Sequence, residues 1–197
     1  MTPSRIVVAS NNAGKLREFQ QLLSPLGLEF VPQGQLNVSE ADEPHLTFVE
    51  NALAKARHAS RMTGLPALAD DSGLCVDVLG GAPGVVSARY AGEPKSDMRN
   101  NEKLLQALAG QPERRAHFYC VLVLVRHADD PQPVIAEGVW QGEIATAPQG
   151  EAGFGYDPLF WVPQWQCSAA QLPAEEKNRL SHRGQALRSL LEKLAQR

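Results

Sequence analysis

Ile6-Val7-Val8-Ala9-Ser10-Asn11-Asn12-Ala13-Gly14-Lys15 reads as one strand-turn-helix step. Four consecutive small or branched apolar residues suit a strand buried on both faces. Residues 13 to 23 then place Leu16, Phe19, Leu22 and Leu23 on one side of a helix. The pattern repeats. Leu28-Glu29-Phe30-Val31-Pro32 reads as a second strand stopped by proline, and residues 33 to 46 as a polar loop carrying Glu40, Asp42 and Glu43. Thr47-Phe48-Val49-Glu50 matches a capping box and opens a helix with Val49, Ala52, Leu53 and Ala56 at helical spacing, ending near Gly64-Leu65-Pro66.

Beyond that helix the spacing predicts short strands around 67–70 and 74–79, then a Gly-Gly-Ala-Pro-Gly segment from Gly80 to Gly84. Residues 97–109 read as a helix. Ala116 to Val125 and residues 134–145 read as strands paired through the turn at Asp129-Asp130-Pro131. A last helix runs from about 182 to 196, with Leu187, Leu190, Leu191 and Leu194 at i, i+3, i+4 and i+7. A βαβα first half followed by an antiparallel pair gives an α/β fold with a mixed sheet.

The 197 residues suit one domain, or one domain with two lobes. Hydrophobic content of 43%, charged content of 21% and a net charge of −3 are those of a soluble globular chain without a dominant basic patch. A nucleic-acid polymer is therefore not the expected partner, while a small anion remains so. Residues 1–10 read as the start of a strand and not a signal peptide, and no stretch has the length of a membrane span. Cys75, Cys120 and Cys167 are odd in number, widely spaced and set in apolar sequence, as expected of buried free thiols in a reducing cytoplasm. The five histidines show no zinc-type spacing.

Five segments could carry chemistry. Ala67-Leu-Ala-Asp70-Asp71-Ser72-Gly73 reads as a strand ending in paired carboxylates before a Ser-Gly turn. Hard oxygens at a sheet rim suit Mg²⁺, and Mg²⁺ suits phosphate chemistry. These residues are also ordinary turn formers, so the segment gains its meaning from the others. The Ser10–Lys15 turn offers backbone amides, small polar side chains and a lysine, a natural anion seat. It is no Walker A loop, because Ala9 stands where that motif needs glycine and Leu16 where it needs Ser or Thr. The acidic loop Glu40-Ala-Asp42-Glu43 follows a strand, as Asp70 and Asp71 do, and ligands collect at strand carboxyl ends in open α/β sheets.

Gly153-Phe154-Gly155-Tyr156-Asp157-Pro158 combines close backbone approach with an aromatic face that can stack on a base. Lys177 and Ser181-His182-Arg183-Gly184 add cations. Ser181 suits an N-cap, which puts His182 and Arg183 in a first helical turn, where cations oppose the helix dipole and are better explained by a ligand. A Ser72–His182–Asp triad is disfavoured, because Ser72 lacks a Gly-x-Ser-x-Gly elbow.

Six segments in order resemble the Ham1-like inosine triphosphate pyrophosphatase family: Ser10–Lys15, Thr47-Phe-Val-Glu-Asn51-Ala, Ala69-Asp-Asp-Ser-Gly73-Leu, Gly80–Gly84 with Ser87-Ala-Arg-Tyr90, Gly153-Phe-Gly-Tyr-Asp157-Pro and Ser181–Gly184. The resemblance implies a single domain over 1–197, an elongated two-lobed α/β fold with the site in the cleft between lobes, and a homodimer. It also implies Mg²⁺-dependent cleavage of ITP, dITP and XTP between the α and β phosphates. Under it, Asp71 is the catalytic carboxylate and a metal ligand beside Asp70, with Glu43 the second ligand and Asp42 its nearest rival. Ser10, Asn11, Asn12, Lys15 and Lys177 would hold the triphosphate, and Ser72 would contact substrate. Phe154, Gly155, Tyr156 and Asp157 would form the nucleoside wall, His182 and Arg183 would read the base, and Arg89 would neighbour the base or the dimer contact.

Two rivals remain on sequence alone. A pyrophosphatase for other modified nucleotides would keep the acidic cluster and change the base pocket. A nucleotide-binding sensor without turnover would keep the Ser10–Lys15 seat but has no need of Glu43 and Asp71.

Overall fold

The structure is a computed structural model, and it describes residues 5–23 and 29–196. Leu28, expected to open the second strand, the expected strand start at residues 1–4, and the side chain of Leu22 lie outside the described residues.

The strands are β1 (Arg5–Val8), β2 (Glu29–Pro32), β3 (Ala67–Val76), β4 (Arg115–Val125), β5 (Val134–Ile144), β6 (Phe160–Val162) and β7 (Cys167–Ser168). The helices are α1 (Ala13–Leu23), α2 (Phe48–Thr63), α3 (Asp97–Ala107), α4 (Ala174–Leu180) and α5 (His182–Ala195). One mixed sheet runs in the order β2-β1-β3-β4-β5-β6-β7. β1 is parallel to β2, with Val7 opposite Val31, and parallel to β3, with Val7 opposite Ala67. β6 is antiparallel to β5 and to β7. The expected α/β class with a mixed sheet is what the chain forms, and β4 and β5 are sheet neighbours as their spacing predicted.

Burial follows the sequence pattern. β4 is fully buried from Cys120 to Val125, on both faces, whereas β5 alternates, with Val134, Ala136 and Trp140 inward and Ile135 and Val139 outward. α2 opens on Thr47, whose hydroxyl accepts from the Glu50 N–H at 3.4 Å and donates to Glu50 Oε2 at 2.6 Å. It closes on Gly64 at φ +69, the left-handed conformation glycine adopts without cost. No helix among the described residues is long and apolar enough to cross a membrane.

Two compact units divide the chain. One comprises Met1–Asp71, Cys120–Gly138 and Arg183–Arg197, with a core of Ile6, Val8, Phe19, Leu68, Leu122 and Leu187. In it α2 packs on β1 and α1 on β2. The other comprises Ser72–Tyr119 and Val139–His182, with a core built on Leu74, Leu104, Phe118, Trp140 and Phe160.

Three expectations are corrected. The strands placed at 67–70 and 74–79 are one strand, β3, followed by a 3-10 turn over Asp77–Leu79. Asp70 and Asp71 therefore lie inside a strand and not in a loop at its end. The place of β3 in the sheet, paired with β1 at Ala67 and Leu68 and next to β4, overrides the turn preference of Asp-Asp-Ser-Gly. The short helix α4 and the short strands β6 and β7 were not expected. Pro173 before α4 and Glu175 and Glu176 in its first turn are helix-start signals that were available.

Candidate functional site

In the first unit the polar turn after β1 and the middle of β3 meet through charge. Lys15 Nζ is 2.8 Å from Asp70 Oδ2. Asp70 is only 2% exposed and is also paired with Arg183, whose Nη2 lies at 3.5 Å and whose Nη1 binds Glu18 of α1. Burial pushes the Asp70 carboxyl up, but Lys15, then Arg183 and Lys55, outweigh it and hold the group well below the usual carboxylate range. Arg183, 2% exposed, is in turn held firmly protonated by Asp70 and Glu18 against its own burial.

Asp71 has the opposite environment. Lys55 Nζ donates to its Oδ1 at 3.2 Å and to Glu43 Oε1 at 2.6 Å. Burial, with Glu43 and Asp70 adding repulsion, exceeds the pull of Lys55 and Lys15 and raises the Asp71 carboxyl above its ordinary value. Lys55, facing three carboxylates, is raised despite its burial. Adjacent carboxylates thus sit on opposite sides of their normal range, one lowered by its cationic neighbours and the other raised by burial.

The turn itself behaves as a helix start. Asn12 Oδ1 accepts from the Lys15 N–H at 3.1 Å, Ser10 Oγ accepts from the Asn12 N–H at 3.2 Å, and Asn11 Nδ2 donates to Glu40 Oε1 at 3.1 Å. Of the two rival acidic residues, Glu43 joins the cluster and Asp42 is exposed.

The residues suit a divalent cation. Asp71 Oδ2 is buried and has no hydrogen-bond partner among the described residues. Glu43 and Asp71 both lie against the Lys55 ammonium. All the donors are hard oxygens. Among the described residues no three His, Cys, Asp or Glu side chains already converge as a metal cage, and the Lys55 ammonium stands between Glu43 and Asp71. Cys120, fully buried, has its thiol pushed up to about 12 by burial and offers no nucleophile.

In the second unit the Gly-rich segment forms a turn organised by Asp157. Its Oδ2 accepts from the Phe154 N–H at 2.8 Å and from Lys177 Nζ at 2.6 Å. Gly153 is at φ +83, and a Cβ there would lie 2.2 Å from Asp157 Oδ2, so only glycine fits. Gly155 is gripped from α3, its N–H donating to Asp97 Oδ2 at 2.7 Å and its carbonyl accepting from Asn101 Nδ2 at 2.9 Å. Phe154 is 36% exposed, with Lys177 Nζ 4.9 Å from its ring centre, so its face is not core packing. Tyr156 is buried, and its hydroxyl donates to Ser87 O at 2.8 Å, which makes it a wall of the core. His182 stacks on Phe118 with ring centres 4.8 Å apart. Ser72, half-buried, follows Asp71 in β3, and Arg89 ends the 3-10 turn Gly84–Arg89.

Lys55, Glu18, Asp97 and Asn101 were missed from sequence. Lys55 had one signal, a cation flanked by Ala54 and Ala56 on a helix that packs on the sheet. The other three carry no local signal.

The Ham1 family profile matches residues 6–193. A dITP/XTP pyrophosphatase of Nitrosomonas europaea is 65% identical over 193 residues, covering 98% of this chain and 95% of its own length. The dITP/XTP pyrophosphatase of Bordetella pertussis is 66% identical over 193 residues, covering 96% and 91%. The solved structure of a HAM1 protein from Coxiella burnetii superposes with a TM-score of 0.92 at 51% identity, covering 98% of this chain and 99% of that one. A Staphylococcus aureus Ham1 protein gives 0.88 at 40% identity, covering 98% of each chain. Matched over residues 6–193 by the family profile and at 65% and 66% identity by relatives over nearly their whole length, the chain belongs to the Ham1 family.

Proposed function

We propose that the protein is a hydrolase of deaminated purine nucleoside triphosphates, cleaving ITP, dITP and XTP between the α and β phosphates to the monophosphate and pyrophosphate. The names carried by relatives 65% and 66% identical over nearly their whole length support the reaction. The observation that carries it is the split pair of carboxylates in β3. Asp70 is paired with Lys15 and Arg183, while Asp71 keeps one buried oxygen without a hydrogen-bond partner among the described residues and a raised pKa.

Asp71 accepts the proton of the attacking water, the task for which a carboxyl raised toward neutrality is suited. Asp71 and Glu43, with Asp70 beside them, would hold Mg²⁺, which when bound would supply charge neutralisation and polarisation at the reacting phosphorus. Lys15, with the amides and side chains of Ser10, Asn11 and Asn12, takes the triphosphate. Lys55 holds Asp71 and Glu43 together. Lys177 adds a phosphate contact, Ser72 touches substrate, and Phe154 stacks on the base with Gly155, Tyr156 and Asp157 shaping the wall behind it.

His182 and Arg183 read the base. Hypoxanthine and xanthine carry an oxygen at C6 where adenine carries an amino group. Donors that meet the oxygen are left unmet against adenine, at about 1–3 kcal/mol for each buried group. Glu18 and Asp70 fix the plane of the Arg183 guanidinium, the pre-organisation such a donor needs.

The protein works as a cytoplasmic homodimer in this reading. Free Cys75, Cys120 and Cys167 suit a reducing compartment, and the exposed Val78 and Val86 flank the Gly80–Gly84 turn as candidate contacts. Initial rates on ITP, XTP, GTP and ATP test the substrate assignment. Turnover of ITP and XTP with GTP and ATP spared supports it, and equal turnover of all four refutes it.

A further inference from the structure

Asn51, Lys55 and His58 fall at i, i+4 and i+7 of α2 and so form one stripe along the helix. Each grips a different point of the acidic loop, in antiparallel order. Asn51 takes both backbone groups of one residue: its Oδ1 accepts from the His45 N–H at 3.1 Å, and its Nδ2 donates to the His45 carbonyl at 3.2 Å. Lys55 takes Glu43. His58 Nε2 lies 2.9 Å from the Ser39 carbonyl and 3.1 Å from Ser39 Oγ. A carbonyl oxygen only accepts, so Nε2 carries the hydrogen and His58 is a donor here. The segment from Val38 to Leu46 has no helix or strand of its own. Its shape must come from contacts such as these.

We propose that Asn51 and His58 are positioning residues, which pin the acidic loop to α2 on either side of Glu43 and thereby set the distance between Glu43 and Asp71. Asn51 is 1% exposed and spends both ends of its amide on the backbone N–H and carbonyl of one residue, two residues from Glu43. Asparagine can serve that N–H and that carbonyl together, whereas aspartate serves only the first. The stripe does the work that a strand would do elsewhere: it supplies partners for loop backbone that would otherwise be left to solvent. This inference rests on the reading of Glu43 as a ligand for Mg²⁺, and partners of ligands commonly tune metal affinity by about 10–100-fold.

The test uses the full chain with Asn51→Asp, His58→Phe, His58→Gln and Glu43→Gln. Hydrogen exchange of the 38–46 amides is measured without metal, and the Mg²⁺ concentration for half-maximal ITP hydrolysis is measured beside it. Asn51→Asp and His58→Phe are expected to speed exchange in the loop while α2 keeps its protection. Both are expected to raise the Mg²⁺ requirement about tenfold with kcat at saturating Mg²⁺ little changed. His58→Gln, which keeps a donor, is expected to restore both. Unchanged loop exchange in Asn51→Asp and His58→Phe overturns the proposal, as does exchange lost equally across α2. A Mg²⁺ requirement that rises in Glu43→Gln but not in Asn51→Asp overturns it too. A requirement unmoved in Glu43→Gln itself overturns the ligand reading of Glu43 instead, and the loop exchange then still decides whether the stripe pins the loop.

Discussion

Lys15 Nζ, in the first turn of α1, lies 2.8 Å from Asp70 Oδ2 in the middle of β3. The contact fastens the turn after β1 to the strand that carries Asp71. It also gives the lysine two tasks, counter-charge to a buried carboxylate and phosphate binding. Lys15→Met leaves Asp70 with less compensation and is expected to cost about 3 kcal/mol of stability, the scale for breaking one partner of a buried pair. Urea unfolding measures it. The double variant Lys15→Met/Asp70→Asn should recover most of the loss, and no recovery would mean that the lysine stabilises by other contacts.

The two aspartates predict opposite pH behaviour. Asp70, depressed in the folded state, contributes stability that is present above its unfolded value and lost as pH falls through the folded one. Asp71, raised in the folded state, contributes stability that is present below its unfolded value and lost as pH rises through the folded one. At neutral pH ionised Asp71 is therefore a cost to the metal-free fold. Asp71→Asn is expected to raise Tm without Mg²⁺, to abolish the stabilisation by Mg²⁺, and to lower kcat by about 100-fold or more. A Tm lowered by the substitution would contradict the assigned environment.

Arg183→Ala separates reading of the base from anchoring of Asp70. If the guanidinium meets the C6 oxygen, binding of ITP weakens by about tenfold or more while inorganic tripolyphosphate is affected far less. Competition titrations give both numbers. Equal losses for the two ligands would confine Arg183 to holding Asp70 and Glu18.

Gly153→Ala should disrupt the aromatic turn. Its methyl would meet Asp157 Oδ2 at 2.2 Å, in a backbone conformation that alanine resists. The strain is on the order of 1–3 kcal/mol, and relief requires Asp157 to release the Phe154 N–H or Lys177. KM for ITP is expected to rise while kcat changes less, since the acidic pair is untouched. Steady-state kinetics check the split, and an unchanged KM would remove Phe154 from the nucleoside wall.

The parts legible in the sequence are those with strong local signals. β1 and α1 announce themselves by apolar period, α2 by Thr47 and Gly64, and α5 by its leucines. Ser10–Lys15, the loop carrying Glu40, Asp42 and Glu43, and the pair Asp70 and Asp71 stand out by residue type and position near strands, whereas Glu43 is singled out within its loop only through the family resemblance. The error at Ser72-Gly73 has a physical source: turn chemistry is local, while β3 is decided by two neighbouring strands. Glu18, 165 positions from Arg183, and Asp97, 58 from Gly155, could not be paired without the fold. The raised Asp71 and lowered Asp70 are likewise products of burial and neighbours, which two identical side chains in sequence do not show.

The products of ITP hydrolysis test the central claim most directly. Incubation with Mg²⁺ should yield inosine monophosphate and pyrophosphate in equal amounts, with the yield lost in EDTA and in Asp71→Asn. Orthophosphate with inosine diphosphate, or pyrophosphate release undiminished in Asp71→Asn, would contradict the reaction assigned to this site.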